Sequence, residues 1–260
     1  MQPSWFISHG SPLTLMMESP ARLFLGGLAA TLSERPAAIL AVSAHWETPA
    51  PALNAVARNP TIHDFYGFPE QLYALRYPAP GAPELARRIA ALLDRAGFQA
   101  GLDGERGLDH GAWVPLLLAF PQADIPVLQL SVQPAEGAAY HLRLGAALAP
   151  LRAEGVLIMG AGSFTHDLRR LHGLGDFAVP ETPDVTAFCD WMHGRIMQAD
   201  LAALADYRAL APYAAAQHPT DEHLLPLHVA LGAAGPDCLP ARLHSSVEFG
   251  FLRMDSYAFQ

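Results

Sequence analysis

Three segments of this chain are strand-long and almost wholly apolar. Ala37 to Ala44 reads AAILAVSA, Pro126 to Val132 reads PVLQLSV, and Val156 to Met159 reads VLIM. A strand with one wet face alternates apolar and polar residues. A strand covered on both faces does not, and that condition belongs to the parallel or mixed sheets of α/β proteins. A fourth short run, Trp5-Phe6-Ile7, ends at once in the turn-forming Ser8-His9-Gly10-Ser11-Pro12. Between the runs lie helical spacings. Pro20 to Glu34, Gly111 to Phe120, Tyr140 to Glu154 and Pro183 to Ala205 read as helices. Glu84 to Ala96 puts Leu85, Ile89, Leu92, Leu93 and Ala96 on one helical face. Thr220-Asp221-Glu222 reads as a cap with first-turn acids, opening a helix through Ala230, and strands close the chain around Val247 to Tyr257. The expectation is one α/β domain over residues 1–260, with a central mixed, largely parallel β-sheet flanked by helices and no internal repeat or linker.

In such a sheet, ligands sit beyond the carboxyl ends of the strands. Three histidines fall there: His9, His45 and His166 each follow an apolar run and sit beside small or turn residues. His223 is placed in a helical first turn, where the helix dipole disfavours an imidazolium and keeps the ring neutral, the form that a metal binds. Twelve histidines against sixteen lysines plus arginines make metal or acid/base chemistry a natural expectation, although most of the twelve are expected to be structural. Other chemistries lack their signatures. There is no H-E-x-x-H, no Walker A loop and no G-x-G-x-x-G opening a helix. Gly160-Ala161-Gly162 follows a strand but lacks the lysine or third glycine of a phosphate loop, and Ser163 lies in Gly-Ala-Gly-Ser-Phe rather than G-x-S-x-G.

The remaining composition narrows the partners. A net charge of −9 opposes phosphate backbones, so nucleic acid is not an expected partner. Charged residues at 16% and apolar residues at 51% suit a packed core rather than disorder. Two cysteines, Cys189 and Cys238, are too few for a disulfide scaffold and read as reduced. The first residues have no basic region or apolar run of a signal peptide, and no stretch of roughly 18 apolar residues suggests a membrane span. The expected address is cytoplasmic, as a monomer or small homo-oligomer.

Several motifs recur in a familiar order: Ser8-His9-Gly10-Ser11-Pro12; Ser43-Ala44-His45-Trp46-Glu47; His63-Asp64-Phe65-Tyr66-Gly67-Phe68-Pro69; Asp109-His110-Gly111-Ala112-Trp113-Val114-Pro115; Gly160 to Ser163 through His166-Asp167-Leu168; Asp221-Glu222-His223-Leu224-Leu225-Pro226-Leu227; and Met254-Asp255-Ser256-Tyr257. This series, spanning nearly the whole chain, resembles the class III extradiol ring-cleaving dioxygenases, in their 4,5-DOPA branch. The resemblance implies that His9 and His45 bind a metal and that His223 is the third ligand, with Glu222 adjacent where better-known members use a carboxylate. It implies that His166 is the acid/base, close enough to the metal to bind it at rest, and that His110 is a second pocket histidine. Fe(II) is the expected cofactor and Zn(II) a possible occupant of the purified protein. The implied substrates are a small catechol, DOPA or a related phenolic, and dioxygen, with a semialdehyde as product.

A base of near-neutral pKa suits His166 in such a reaction. Trp46, Phe65, Tyr66 and Trp113 are candidate walls for the aromatic ring, and His63 for pocket lining. Arg76, Arg87 and Arg88 are candidates for a substrate carboxylate. His141, His172, His193, His218, His228 and His244 read as structural or surface residues. A zinc-dependent hydrolase on the same site, or a non-enzymatic metal-binding module of the same fold, are the competing readings.

Overall fold

The computed structural model describes residues 1–171 and 179–260. Its strands are β1 (Ser4–Ser8), β2 (Ala38–Glu47), β3 (Ala52–Asn54), β4 (Gly101–Asp103), β5 (Val127–Val132), β6 (Val156–Gly162), β7 (Pro240–His244), β8 (Val247–Glu248), β9 (Leu252–Arg253) and β10 (Ser256–Phe259). Eight of them form one sheet in the order β4-β3-β5-β2-β6-β1-β10-β7, while β8 and β9 pair separately. The middle of the sheet, β5-β2-β6-β1, is parallel, and β3 and β10 join it antiparallel. The expected mixed, largely parallel sheet is therefore present.

The helices are α1 (Pro20–Gly27), α2 (Glu70–Ala74), α3 (Pro83–Arg95), α4 (His110–Ala119), α5 (Gly137–Leu148), α6 (Pro150–Ala153), α7 (Pro183–Met197), α8 (Leu201–Ala205), α9 (Tyr207–Leu210), α10 (Ala214–Gln217) and α11 (Leu225–Ala234). Strand alternation distributes the central side chains between two buried layers. Trp5, Ile7, Ile39, Ala41, Leu157 and Met159 share one cluster with Leu25 of α1 and Trp113 of α4. Leu40, Val42 and Ile158 face the other layer, with Ile89 of α3, Leu144 of α5 and Val229 of α11. Both faces of the parallel strands are covered, which is why their sequences lack polar alternation.

Several boundaries differ from the sequence reading. The helix expected over Tyr140 to Glu154 is split at Ala149–Pro150, because proline cannot donate to the preceding turn. The segment from Pro183 to Ala205 breaks at Ala199, whose φ of +49° is non-helical. The first expected helix ends at Gly27, and a 3₁₀ turn, Leu28–Thr31, follows. α11 starts at Leu225, not at the Thr220–Glu222 cap. The Asp221 carbonyl instead accepts the N–H groups of Leu224 and Leu225, closing a turn that carries His223 ahead of the helix. Among the described residues, no helix is long and apolar enough to cross a membrane. Cys189 and Cys238 are buried and unbridged.

Candidate metal centre

The three central parallel strands deliver histidines to one end of the sheet. His9 directly follows β1, His45 lies near the end of β2, and His166 follows β6 by four residues. His223 arrives from the turn before α11. The Ser163 N–H donates to the His223 carbonyl at 2.9 Å, tying that turn to the end of β6. A Cβ on Gly162 would lie 2.1 Å from the same carbonyl, so only glycine lets the turn lie this close. The glycines that faintly suggested a phosphate loop thus serve backbone approach. Gly111 acts similarly on the other side, since a Cβ there would meet Ser43 Oγ at 2.7 Å and the His45 ring at 2.9 Å.

The rings of His9, His45 and His223 converge, with centroids 4.8 to 5.6 Å apart. His110 joins them at 4.0 Å from His45, and His166 stacks on His223 at 3.4 Å. Each of the first three rings turns Nδ1 outward to an oxygen. His9 Nδ1 donates to the Gly10 carbonyl at 2.7 Å, and His223 Nδ1 donates to Glu222 Oε1 at 2.9 Å. His45 Nδ1 faces Asp64 Oδ2 at 3.6 Å, longer than a direct hydrogen bond. Nε2 is left pointing inward. His9 Nε2 is buried without any hydrogen-bond partner, and the Nε2 atoms of His45 and His223 lie 3.3 Å apart. Two imidazole nitrogens that close share a proton or a cation. A buried, unpartnered nitrogen costs about 1–3 kcal/mol unless something binds it. Neutral imidazoles with Nδ1–H fixed by oxygen acceptors form the donor set that a divalent transition metal takes. The residues therefore fit a bound metal.

Burial keeps the rings neutral. His9 and His223 are held well below the ordinary histidine value by desolvation, and next by His45 for His9 and by His166 for His223. His45 is lowered to about 4 by burial and then by the adjacent His110. His166 is lowered to about 3, first by burial and then by His218. The near-neutral pKa expected for His166 is thus corrected, because its surroundings are drier and richer in imidazole than the sequence reveals.

Two carboxylates beside the cluster were not among the site residues expected from the sequence, although both fall within the motifs quoted above. Asp64 accepts from His110 twice, through Nδ1–H at 3.0 Å and the backbone N–H at 2.9 Å. Burial alone would raise this carboxyl, but the His110 hydrogen bonds outweigh it and hold it at about 2. Asp109 is fully buried and caps α4 through the Ala112 N–H. It also accepts from Ser43 Oγ at 2.6 Å, from Arg106 at 3.0 Å and from Gln129. Its position just before a helix is a readable cap signal. Asp64 lies 46 residues from His110 in sequence and carried no comparable cue.

A cavity of about 650 Å³ opens from the cluster, bordered by His9, His45, His110 and His166 together with Phe65, Tyr66, Phe68, Leu168 and Met254. Its size suits a small aromatic ligand. Two of the four expected ring walls, Phe65 and Tyr66, border it. Trp113 is instead fully buried core, its indole N–H on the Ile62 carbonyl at 2.9 Å. Trp46 lies 4.5 Å beneath the Arg106 guanidinium. His63 sits one layer back, with Nε2 3.1 Å from the Leu75 carbonyl and its ring edge-on to Phe65. Arg76 borders a separate groove with Arg58, while Arg87 and Arg88 pair with Glu84 and Glu154 on the exterior. The arginines considered for a substrate carboxylate are therefore elsewhere.

Of the histidines read as structural, His141 and His228 are buried with ring nitrogens on backbone groups, and His218 donates to the Phe164 carbonyl. His193 meets the Tyr257 hydroxyl and His244 the Ser246 hydroxyl. His172 lies outside the described residues.

Comparison with known proteins agrees with this geometry. Residues 4–259 match the family described as catalytic LigB subunit of aromatic ring-opening dioxygenase. A protein of Beta vulgaris named 4,5-DOPA dioxygenase extradiol is 45% identical, over 100% of this chain and 97% of that protein. One of the same name from Escherichia coli K12 is 38% identical, over 97% and 92%. The crystal structure of an uncharacterized Escherichia coli K12 protein superimposes with a TM-score of 0.83 at 33% identity, covering 100% of both chains.

Proposed function

The chain belongs to the family of catalytic LigB subunits of aromatic ring-opening dioxygenases, and from that premise we propose that it opens the ring of a small catechol beside its two hydroxyls, with Fe(II) held by His9, His45 and His223. The observation that carries the proposal is the convergence of three imidazoles from separate elements, each Nδ1 toward an oxygen, with the Nε2 atoms of His45 and His223 3.3 Å apart and that of His9 buried beside them without a partner. The relatives named 4,5-DOPA dioxygenase extradiol support a DOPA-like substrate and a semialdehyde product.

When bound, Fe(II) supplies open positions where a chelating catechol and dioxygen exchange electron density. The protein's own groups do the rest. The Gly10 carbonyl and Glu222 set the tautomers of the His9 and His223 rings. His166 borders the cavity, and among the described residues no hydrogen bond occupies its ring nitrogens. Its low pKa brings it to the reaction in the neutral form, able to accept a proton from a catechol hydroxyl. The anion left beside it then raises its affinity for that proton. His110, braced by Asp64 through Nδ1, borders the cavity with its other nitrogen free to take the proton of the second catechol hydroxyl and to return it as the ring opens. The aromatic and aliphatic lining excludes water from these transfers. A monophenol cannot chelate through two oxygens and is a poor substrate.

The same imidazole set accepts Zn(II), so the test separates the metals. Metal-free protein is loaded anaerobically with Fe(II) or with Zn(II), and oxygen uptake is followed with 4-methylcatechol, DOPA and a monophenol. Uptake and a yellow product are expected with Fe(II) and the catechols alone. No uptake from any catechol, with Fe(II) verified in the protein, overturns the reading in favour of a hydrolase or a binding module.

A further inference from the structure

A short hairpin near the C-terminus forms another wall of the cavity. β8 pairs with β9 so that Glu248 stands opposite Leu252, and Glu248, Phe249 and Leu252 all border the cavity. Phe249 has a φ of +54°, a backbone conformation that a bulky residue keeps only where its surroundings hold it, often at a functional site.

Glu248 is only 6% exposed. Its hydrogen-bond partner is the Ser19 hydroxyl, which also borders the cavity and caps α1 by accepting the Arg22 N–H at 3.1 Å. Burial pushes the Glu248 carboxyl up to about 7, and among the described residues no cation opposes that. Other half-buried acids do have partners: Glu181 has Arg253 at 2.7 Å and Glu222 has His223. All sixteen cationic side chains of the chain are arginines, and among the described residues none borders the cavity. Among the described residues the cavity therefore presents one carboxyl group, histidines, the hydroxyl side chains of Ser11, Thr14, Ser19 and Ser163, and apolar surface, with nothing of fixed positive charge. A buried carboxylate aimed into a ligand cavity with a single hydroxyl donor has accepting capacity to spare.

We infer that Glu248 reads the substituent of the ring by receiving an ammonium group, so that the protein selects catechols bearing a cationic amine over those bearing only a carboxylate. This rests on the ring-opening reading of the site and names the substrate class within it. The ammonium donates to the Glu248 oxygen that Ser19 leaves available, and the low local dielectric strengthens the pair. A substrate carboxylate in the same place meets like charge with no arginine to offset it. Pairing of a charged donor with a charged acceptor corresponds to roughly tenfold to a hundredfold in affinity.

The test compares three catechols of similar size: dopamine, the neutral 4-ethylcatechol and the acidic 3-(3,4-dihydroxyphenyl)propionate. Binding to anaerobic Zn(II)-loaded protein is measured by calorimetry, and kcat/KM is measured with Fe(II)-loaded protein. Dopamine is expected to bind roughly tenfold to a hundredfold more tightly than the acid, with the neutral probe between them. In Glu248→Gln the amine-to-neutral ratio falls about tenfold, chiefly through KM. A role limited to holding Ser19 predicts that all three probes weaken together, and such a result overturns the inference. So does a wild-type protein that binds amine and acid equally, a result that needs no variant to fold. Ring opening without amine preference refutes Glu248 as the reader and leaves the dioxygenase standing. Amine preference without turnover of any catechol refutes the dioxygenase and leaves the Glu248 site.

Discussion

Replacing Asp64 by asparagine keeps the size of the side chain and removes its charge. The carbonyl oxygen of the new amide still accepts the His110 backbone N–H, but its NH₂ group now faces His110 Nδ1 and donates to it. The ring proton is driven to Nε2, the nitrogen that the wild-type protein turns toward the cavity as a bare lone pair. The imidazolium needed to carry a proton also loses its counter-charge. The size of that loss can be read from the carboxyl itself. Burial would raise it, yet the His110 hydrogen bonds, their charge attraction and His45 bring it from 3.8 to about 2. At about 1.4 kcal/mol per pH unit this is a coupling on the order of 2–3 kcal/mol, and the side chain at 24% exposure is only moderately screened. Turnover of Fe(II)-loaded Asp64→Asn protein should therefore fall roughly thirty- to a hundredfold, with bound iron and far-UV circular dichroism unchanged. The assay is steady-state oxygen uptake beside metal analysis of the same sample. Wild-type turnover at full iron content would refute the role given to the His110–Asp64 pair. Loss of iron in proportion to activity would assign Asp64 to metal binding through His45 instead.

Three further outcomes follow from the same geometry. Alanine at His9, His45 or His223 should strongly lower metal content on anaerobic dialysis against Fe(II), and retention of a full equivalent by any one of them removes that residue from the ligand set. His166→Ala should keep most of the metal and lose about 10²–10⁴-fold in turnover, as removal of an acid/base does; turnover near wild type refutes that role, and lost metal makes His166 a fourth ligand. Metal-free protein should lose stability in acid. Burial holds His141 and His228 at about 4, below the ordinary 6.5, so only the unfolded chain takes up their protons between those values. Their stabilisation is complete above pH 6.5 and declines by about 1.4 kcal/mol per unit for each ring down to about pH 4. Urea midpoints that stay flat across that window would contradict it.

The sheet was legible where burial leaves its mark on composition. β1, β2, β5 and β6 are covered on both faces, so each stands out as an apolar run. β3, β4 and β7 went unread because they are short or carry exposed residues, as Gly101, Leu102 and Ala241 show. The break at Ala199 left no sign, since alanine favours helix and only the tertiary fold imposes its positive φ. His9, His45 and His166 were legible because parallel strands send their carboxyl ends to one place, and any polar residue directly after such a run is a candidate. His223 was found through its motif, while its setting was misjudged by one turn. Asp64 and Glu248 were not legible as site residues. Asp64 reaches the histidine cluster from a loop and Glu248 reaches the cavity from a hairpin; the position of each segment depends on long-range packing, and a lone acid in such a segment reads as a solvated charge. Two of the four expected ring walls failed for a related reason: Trp46 and Trp113 have the right chemistry, but one indole lies against Arg106 and the other is buried in the core.

The central claim is that these imidazoles serve ring opening by dioxygen beside the catechol hydroxyls. Its most direct test is the product. Fe(II)-loaded protein is given a limiting amount of catechol in air, oxygen consumption is integrated, and the product is identified by mass and proton NMR. The account predicts one dioxygen per catechol, a gain of both oxygen atoms and an aldehyde proton. A dicarboxylic muconate, formed by cleavage between the hydroxyls, or a quinone with no gain of oxygen would contradict it.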